Sequence, residues 1–149
     1  MTNYGLLNAQ LMEMVKDVPH QIANLANASA LLYDALEDLN WAGFYLMEGG
    51  KLVLGPFQGK IACVEIDVGK GVCGTAVEQN ATILVEDVHQ FPGHIACDCA
   101  SNSEIVIPIR KNGKVIGVLD IDSPSFGRFT SSDHTGLEEF VRSLEKSVF

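Results

Sequence analysis

The stretch EIVIPIRKNGKVIGVLDID, Glu104 to Asp122, decides the fold. Two apolar runs, Glu104–Arg110 and Val115–Asp122, flank Lys111-Asn112-Gly113-Lys114. Asn-Gly supplies the left-handed backbone of a two-residue turn, so the runs are read as the arms of an antiparallel hairpin. Asp120 and Asp122 are two apart on one arm and point to the same face. Counting back from a turn at 112–113 sets Glu104 near residue 121, close to both aspartates. Val118, Leu119 and Ile121 make this arm a half or fully buried one. Carboxylates brought together in that setting repel, and burial raises their pKa values further. A bound ammonium group would answer the charge, and a carboxyl that kept its proton could act as a general acid. The competing reading is an exposed strand end with solvated charges.

Outward from this hairpin the chain keeps alternating strand and turn. Trp41–Met47 and Lys51–Phe57 flank Glu48-Gly49-Gly50 as a second hairpin. Ala62–Ile66 and Thr82–Val85 are short strand candidates, separated by a glycine-bracketed helix that runs to Gln79. Helical spacing governs both ends. Residues 4–16 carry Leu6, Leu7, Leu11, Met14 and Val15, and residues 20–38 carry Ile22, Leu25, Ala26, Ser29, Leu32, Tyr33 and Leu36, with Pro19 fitting the first turn. Ser131 or Ser132 caps a last helix that ends near Ser147. Helices at the ends and hairpins between them predict an α+β fold around a mostly antiparallel sheet. The expectation is one domain over 1–149, with helices in 1–38, sheet and loops in 41–123 and a helix over 131–147.

Composition narrows the partners. Ten Lys and Arg face 19 Asp and Glu, a formal charge of −9, which repels nucleic acid and anionic membrane. No apolar run approaches the roughly 20 residues of a membrane helix, and residues 1–14 do not read as a signal peptide. The expected location is the cytoplasm, where Cys63, Cys73, Cys97 and Cys99 are free, catalytic or metal-bound rather than structural disulfides.

Residues 87–103 form a long loop with His89, His94, Cys97, Asp98 and Cys99, and loops of that length are commonly functional. Four readings compete. Cysteine as a small buried hydrophobe suits Cys63 and Cys73, set among Ala62, Val64, Val72 and Ala76. A zinc site could use His94, Cys97 and Cys99 with Cys63 or Cys73, but Cys-x-Cys is not the usual structural spacing. Cys–His hydrolysis lacks any protease-like signature around Cys97. Redox catalysis needs one thiolate to attack and a second thiol to resolve the product, and the chain has four cysteines.

Several motifs together resemble a known family. They are GPFQGKIAC (55–63), GKGVCGTA (69–76), VEDV (85–88), FPGHIACD (91–98), SNSEIV (101–106) and GVLDIDS (117–123). The chain resembles the free methionine-R-sulfoxide reductases, whose fold is the GAF domain, from about Trp41 to the last helix. The resemblance implies a GAF-like domain with the N- and C-terminal helices packed on one face of the sheet. It implies Cys97 as nucleophile, Cys63 as its disulfide partner and Cys73 as an auxiliary thiol. It matches Glu104, Asp120 and Asp122 to substrate-binding acidic positions, and Trp41 and Tyr45 to aromatic residues lining the pocket. Cys99 departs from the pattern, since the family more often has a small residue there.

The implied activity is thiol-dependent reduction of free L-methionine-R-sulfoxide. Cys97 would become a sulfenic acid, a disulfide would follow, and thioredoxin, fed by NADPH, would restore the thiols. No bound cofactor or metal is expected, and the resemblance suggests a homodimer. The alternative is a non-catalytic GAF module that binds a small ligand or senses oxidants through its cysteines.

Overall fold

The computed structural model describes residues 1–93 and 100–149. Two helices, α1 (Tyr4–Val15) and α2 (Gln21–Ala35), precede the first hairpin, β1 (Trp41–Glu48) and β2 (Lys51–Gly59). Then come β3 (Glu65–Asp67), α3 (Gly71–Gln79), β4 (Ile83–Val85), a 3-10 turn at Val88–Gln90, β5 (Ser103–Lys111), β6 (Lys114–Ser123) and α4 (Ser131–Ser147). The strands form one six-stranded sheet in the order β3-β2-β1-β6-β5-β4, and every paired neighbour is antiparallel. The edge strands β3 and β4 have three residues each, which limits the unpaired edge. The α+β expectation holds.

Side-chain alternation sorts each central strand into two faces. Ala42 and Phe44, Ile105, Ile107 and Ile109, and Leu119 and Ile121 pack beneath α1, α2 and α4 in one core. The helices meet it with spaced apolar residues, such as Leu137, Phe140, Val141 and Leu144 of α4. Trp41, Tyr45, Val106 and Val118 face the other way, into a second core under α3. The terminal helices thus share one face and leave the other to α3 and the long loops. Among the described residues no helix is long and apolar enough to cross a membrane.

Bulges set which residues share a face. Asn112 and Gly113 have φ of 55° and 78°, the mirror-image turn the sequence called for. Arg110 pairs with Val115, and continuing that register would set Glu104 opposite Ile121, on the helix-covered face. The register shifts at Ile109/Arg110, where Ile116 is the extra residue on β6. Glu104 therefore pairs with Asp122 and Val106 with Asp120, one residue on from the simple count. A one-residue slip reverses every side chain beyond it, so this bulge delivers Glu104 to the aspartates. A second shift lies between Gly43 and Tyr45, where Gly55-Pro56 of β2 spans one residue of β1. Buried Ser29 of α2 reaches that bulge, its one hydroxyl proton shared between the Leu25 carbonyl at 2.8 Å and the Pro56 carbonyl at 3.1 Å.

Several boundaries differ from expectation for local reasons. Helix α2 begins at Gln21, so Pro19 precedes its N-cap, His20. It stops at Ala35, and Asp38 takes φ of 59° as the chain turns towards β1. Residues 62–64 are loop, and the strand expected at Ala62–Ile66 is confined to Glu65–Asp67. The cap of α4 is Thr130, because Asp133 at N3 reciprocates its hydrogen bond in a capping box.

Candidate active site

The face opposite the terminal helices carries four buried polar groups from three elements. Glu104 comes from β5, Asp120 and Asp122 from β6, and Cys73 from α3. Their exposures are 8%, 5%, 9% and 4%. Cys73 Sγ and carboxylate oxygens of Glu104 and Asp120 all lie within 4.8 Å of one another. Gly74 lets the first turn of α3 fold tightly against the end of β3, since a Cβ there would sit 2.3 Å from the Asp67 carbonyl oxygen. Among the described residues no ion pair reaches Glu104 or Asp120.

Burial decides the protonation. Glu104 is pushed well above the usual carboxyl range by desolvation, then by the charges of Asp120 and Asp122. Asp120 is also raised by burial, partly offset by hydrogen bonds from Glu104, Cys73 and Asp122. Burial likewise lifts the Cys73 thiol, with Asp120 and Glu104 adding to it. Glu104 is thus the group that keeps a proton and turns it towards Asp120. With the whole cluster ionised, Asp120 Oδ1 would have no donor among the described residues.

Beside the carboxylates stands an aromatic stack. Trp41 lies opposite Asp122 in the sheet, and Gly43 opposite Asp120. Phe57 fills the space over Gly43, where a Cβ would lie 2.2 Å from Phe57 Cβ. Trp41 stacks on Phe57 with centroids 5.0 Å apart and on Tyr45 at 5.9 Å. Trp41 Nε1 donates to the Lys60 carbonyl at 3.1 Å, and the Tyr45 hydroxyl to the Cys63 carbonyl at 2.8 Å. Leu54 N donates to the Val64 carbonyl at 2.9 Å. The loop that presents Cys63 is therefore held at three points. Cys63 is disulfide-bonded, whereas Cys73 is a free, buried thiol.

Residues 23–145 match the GAF domain family. Over 143 residues, 96% of this chain and 87% of that one, the sequence is 59% identical to the free methionine-R-sulfoxide reductase of Escherichia coli strain K12. This chain belongs to the free methionine-R-sulfoxide reductase family. Its structure is similar to that of the reduced form of Staphylococcus aureus fRMsr, with a TM-score of 0.97 and 56% identity over 100% of this chain and 97% of that one. It is also similar to the free methionine-R-sulfoxide reductase of Neisseria meningitidis in complex with its substrate. There the TM-score is 0.94 and the identity 43%, over 97% of this chain and 87% of that one.

In this reductase fold, Glu104, Asp120, Asp122 and Cys73 come together, with Trp41 and Tyr45 beside them. Cys97, Cys99 and His94 lie outside the described residues, and with them the zinc reading built on those three. His89 is exposed and pairs with Asp87 at 2.9 Å. Sequence reasoning placed Trp41 and Tyr45 as pocket walls and missed that both hold the Cys63 loop. It also missed Phe57, whose only signal was its place in a shared motif, and Asn40. Asn40 Nδ2 donates to Ser101 Oγ at 3.0 Å, and Asn40 N to the Asp122 carbonyl at 3.0 Å. Asn102 adds bonds to the carbonyls of Ser123 and Pro124, so residues 101 and 102 are tied down beside the aspartates.

Proposed function

We propose that this chain is an L-methionine (R)-S-oxide reductase acting on the free amino acid. The observation that carries the reading is the buried cluster of Glu104, Asp120 and Asp122, in which neither Glu104 nor Asp120 has a basic partner among the described residues, an arrangement that suits an ammonium group. The reductase names of close relatives support it, and so does the substrate complex of the Neisseria protein. Preference for the R epimer and for free over peptide-bound sulfoxide rests on those names.

The substrate's ammonium takes the place of the missing cation, and the aromatic face of Trp41 favours the same charge. The proton retained on Glu104 passes to the sulfoxide oxygen, which makes the sulfur electrophilic. The Cys97 thiolate attacks that sulfur. The substrate's sulfur–oxygen bond then breaks as the oxygen passes with its proton to the Cys97 sulfur; methionine leaves, Cys97 is a sulfenic acid, and the sulfoxide has been reduced by two electrons at the expense of the thiol. The Cys63 thiol condenses with the sulfenic acid, forming a disulfide and releasing water. Thioredoxin, reduced at the expense of NADPH, exchanges with this disulfide and restores both thiols. Cys73, protonated and packed against Asp120, is the auxiliary thiol and helps hold the cluster's proton. No bound cofactor takes part. A cytoplasmic homodimer is the proposed setting.

The test is NADPH oxidation with thioredoxin, thioredoxin reductase and free methionine-R-sulfoxide, beside the S epimer and a peptide-bound sulfoxide. Turnover on the free R epimer alone is expected. Cys97→Ser abolishes it, and Cys63→Ser leaves a single burst of methionine with thioredoxin as reductant. No turnover from folded, reduced protein would overturn the proposal and leave a ligand-binding GAF module.

A further inference from the structure

The same cluster is shaped for a second kind of cation. Cys73 Sγ, Glu104 and Asp120 offer one sulfur and two oxygens within 4.8 Å of one another. In a tetrahedral zinc site, ligand atoms stand roughly 3.3–3.6 Å apart, given bonds of about 2.3 Å to sulfur and 2.0–2.2 Å to oxygen. Small rotations close that gap. A water can supply the fourth ligand. A second, independent observation is the Oδ1 of Asp120. This oxygen is buried at a residue 5% exposed and, once the cluster's own acidic protons are gone, has no hydrogen-bond donor among the described residues. A buried acceptor in that position calls for either a proton or a cation.

We propose that the reduced protein binds a thiophilic divalent cation of the zinc class at Cys73, Glu104 and Asp120, and that this ion competes with the amino group of the substrate. The thiolate excludes magnesium and calcium, which take oxygen ligands and a larger coordination number, and selects zinc, cobalt or cadmium. The ion is a reversible competitor, not a resident cofactor. Binding displaces the protons of Cys73 and Glu104, so affinity rises with pH. The competition rests on the reductase reading, while the ion site rests on the cluster alone.

Cobalt(II) is the probe, because a thiolate ligand gives it a charge-transfer absorption band. The protein used carries Cys63→Ser, Cys97→Ser and Cys99→Ser, so that Cys73 is its one thiol and no substrate is consumed. Folding of every variant is checked by circular dichroism. The expected result is a saturable one-to-one thiolate band, absent after Cys73→Ser. Asp120→Asn should weaken it at least tenfold, and free methionine-R-sulfoxide should displace it. Absence of the band in the triple variant, or its survival in Asp120→Asn at unchanged affinity, would overturn the ion site. Wild-type turnover with thioredoxin, measured in parallel, separates the two readings. A band indifferent to a sulfoxide that the wild type turns over overturns the competition, and an intact band without turnover overturns the reductase reading instead.

Discussion

Asp133 and Asp120 are equally buried, each 5% exposed, and titrate in opposite directions. Asp133 sits at the start of α4. It accepts from the Tyr4 hydroxyl at 2.5 Å, from Thr130 N at 2.8 Å, and from Thr130 Oγ1 and Arg128 Nη1 at 3.1 Å. Burial alone would raise its pKa, but these donors and the guanidinium outweigh that and hold it below the usual value. Asp120 sits mid-sheet among Glu104, Asp122 and Cys73, and its pKa is raised. The first carboxylate has its countercharge within the fold. The second lacks one among the described residues, as the proposed ammonium-binding role requires. Burial alone therefore does not distinguish a structural carboxylate from a functional one; the donors around it do.

The sharpest way to break this contrast is to neutralise each in turn. Asp120→Asn should lower kcat/KM in the thioredoxin-coupled assay by at least about 100-fold, and should leave stability to urea unchanged or higher. Asp133→Asn should do the reverse. It strands the Arg128 guanidinium and weakens the capping box, costing about 1–3 kcal/mol, while turnover at a permissive temperature stays at the wild-type level. An Asp120→Asn protein that unfolds readily yet turns over normally would sink the contrast.

Glu104→Gln removes the retained proton without changing the side chain's shape. A fall in kcat/KM of about 10- to 100-fold is expected. The pH profile is the sharper readout. An acid with a raised pKa works only while protonated, so the wild-type profile should fall on its alkaline side as Glu104 ionises. That limb should disappear in Glu104→Gln. A limb that survives assigns the acid to another group of the cluster.

The Asp120 side of this contrast was largely legible before the structure, and the rest was hidden for identifiable reasons. Asn112-Gly113 announced the β5–β6 hairpin, and the i, i+2 spacing put Asp120 and Asp122 on one face. The bulge at Ile116 was not legible, because Val115, Ile116, Val118, Leu119 and Ile121 are buried or half-buried on both faces and apolar at either register. Thr130, Ser131 and Ser132 are rival caps by type, and only the reciprocal bond from Asp133 picks one. Trp41 and Tyr45 could be placed beside the site by resemblance. Their bonds to the carbonyls of Lys60 and Cys63 could not, since a backbone acceptor leaves no trace in residue identity.

Stability against pH should separate the two regions more gently. Glu104 and Asp120 have raised pKa values in the fold, so the folded state holds protons that the unfolded chain gives up near pH 4. Their contribution is fully present below that point and is lost as pH rises through their folded-state values. Asp133, with a lowered pKa, contributes above about pH 4, and that stability is lost as pH falls through its folded-state value. Urea midpoints from acid to neutral pH should thus fall away on both sides of a maximum. Glu104→Gln should flatten the alkaline decline and Asp133→Asn the acid one. Identical curves for the two variants would mean that the carboxylates do not differ as their surroundings imply.

The smallest expected effect tests whether the site's walls are also its supports. Tyr45→Phe keeps the ring stacked on Trp41 and removes one hydrogen bond, to the Cys63 carbonyl. A bond of this kind is worth about 1 kcal/mol, or about fivefold in a rate that depends on it. If Tyr45 acts only as a wall for the substrate, the loss should fall on KM. If it holds the Cys63 loop for disulfide formation, the loss should fall on kcat with thioredoxin, and a reagent that traps sulfenic acid should capture more of Cys97. The three tethers on residues 60–64 favour the second outcome, because a resolving thiol must meet its partner before the sulfenic acid is oxidised further.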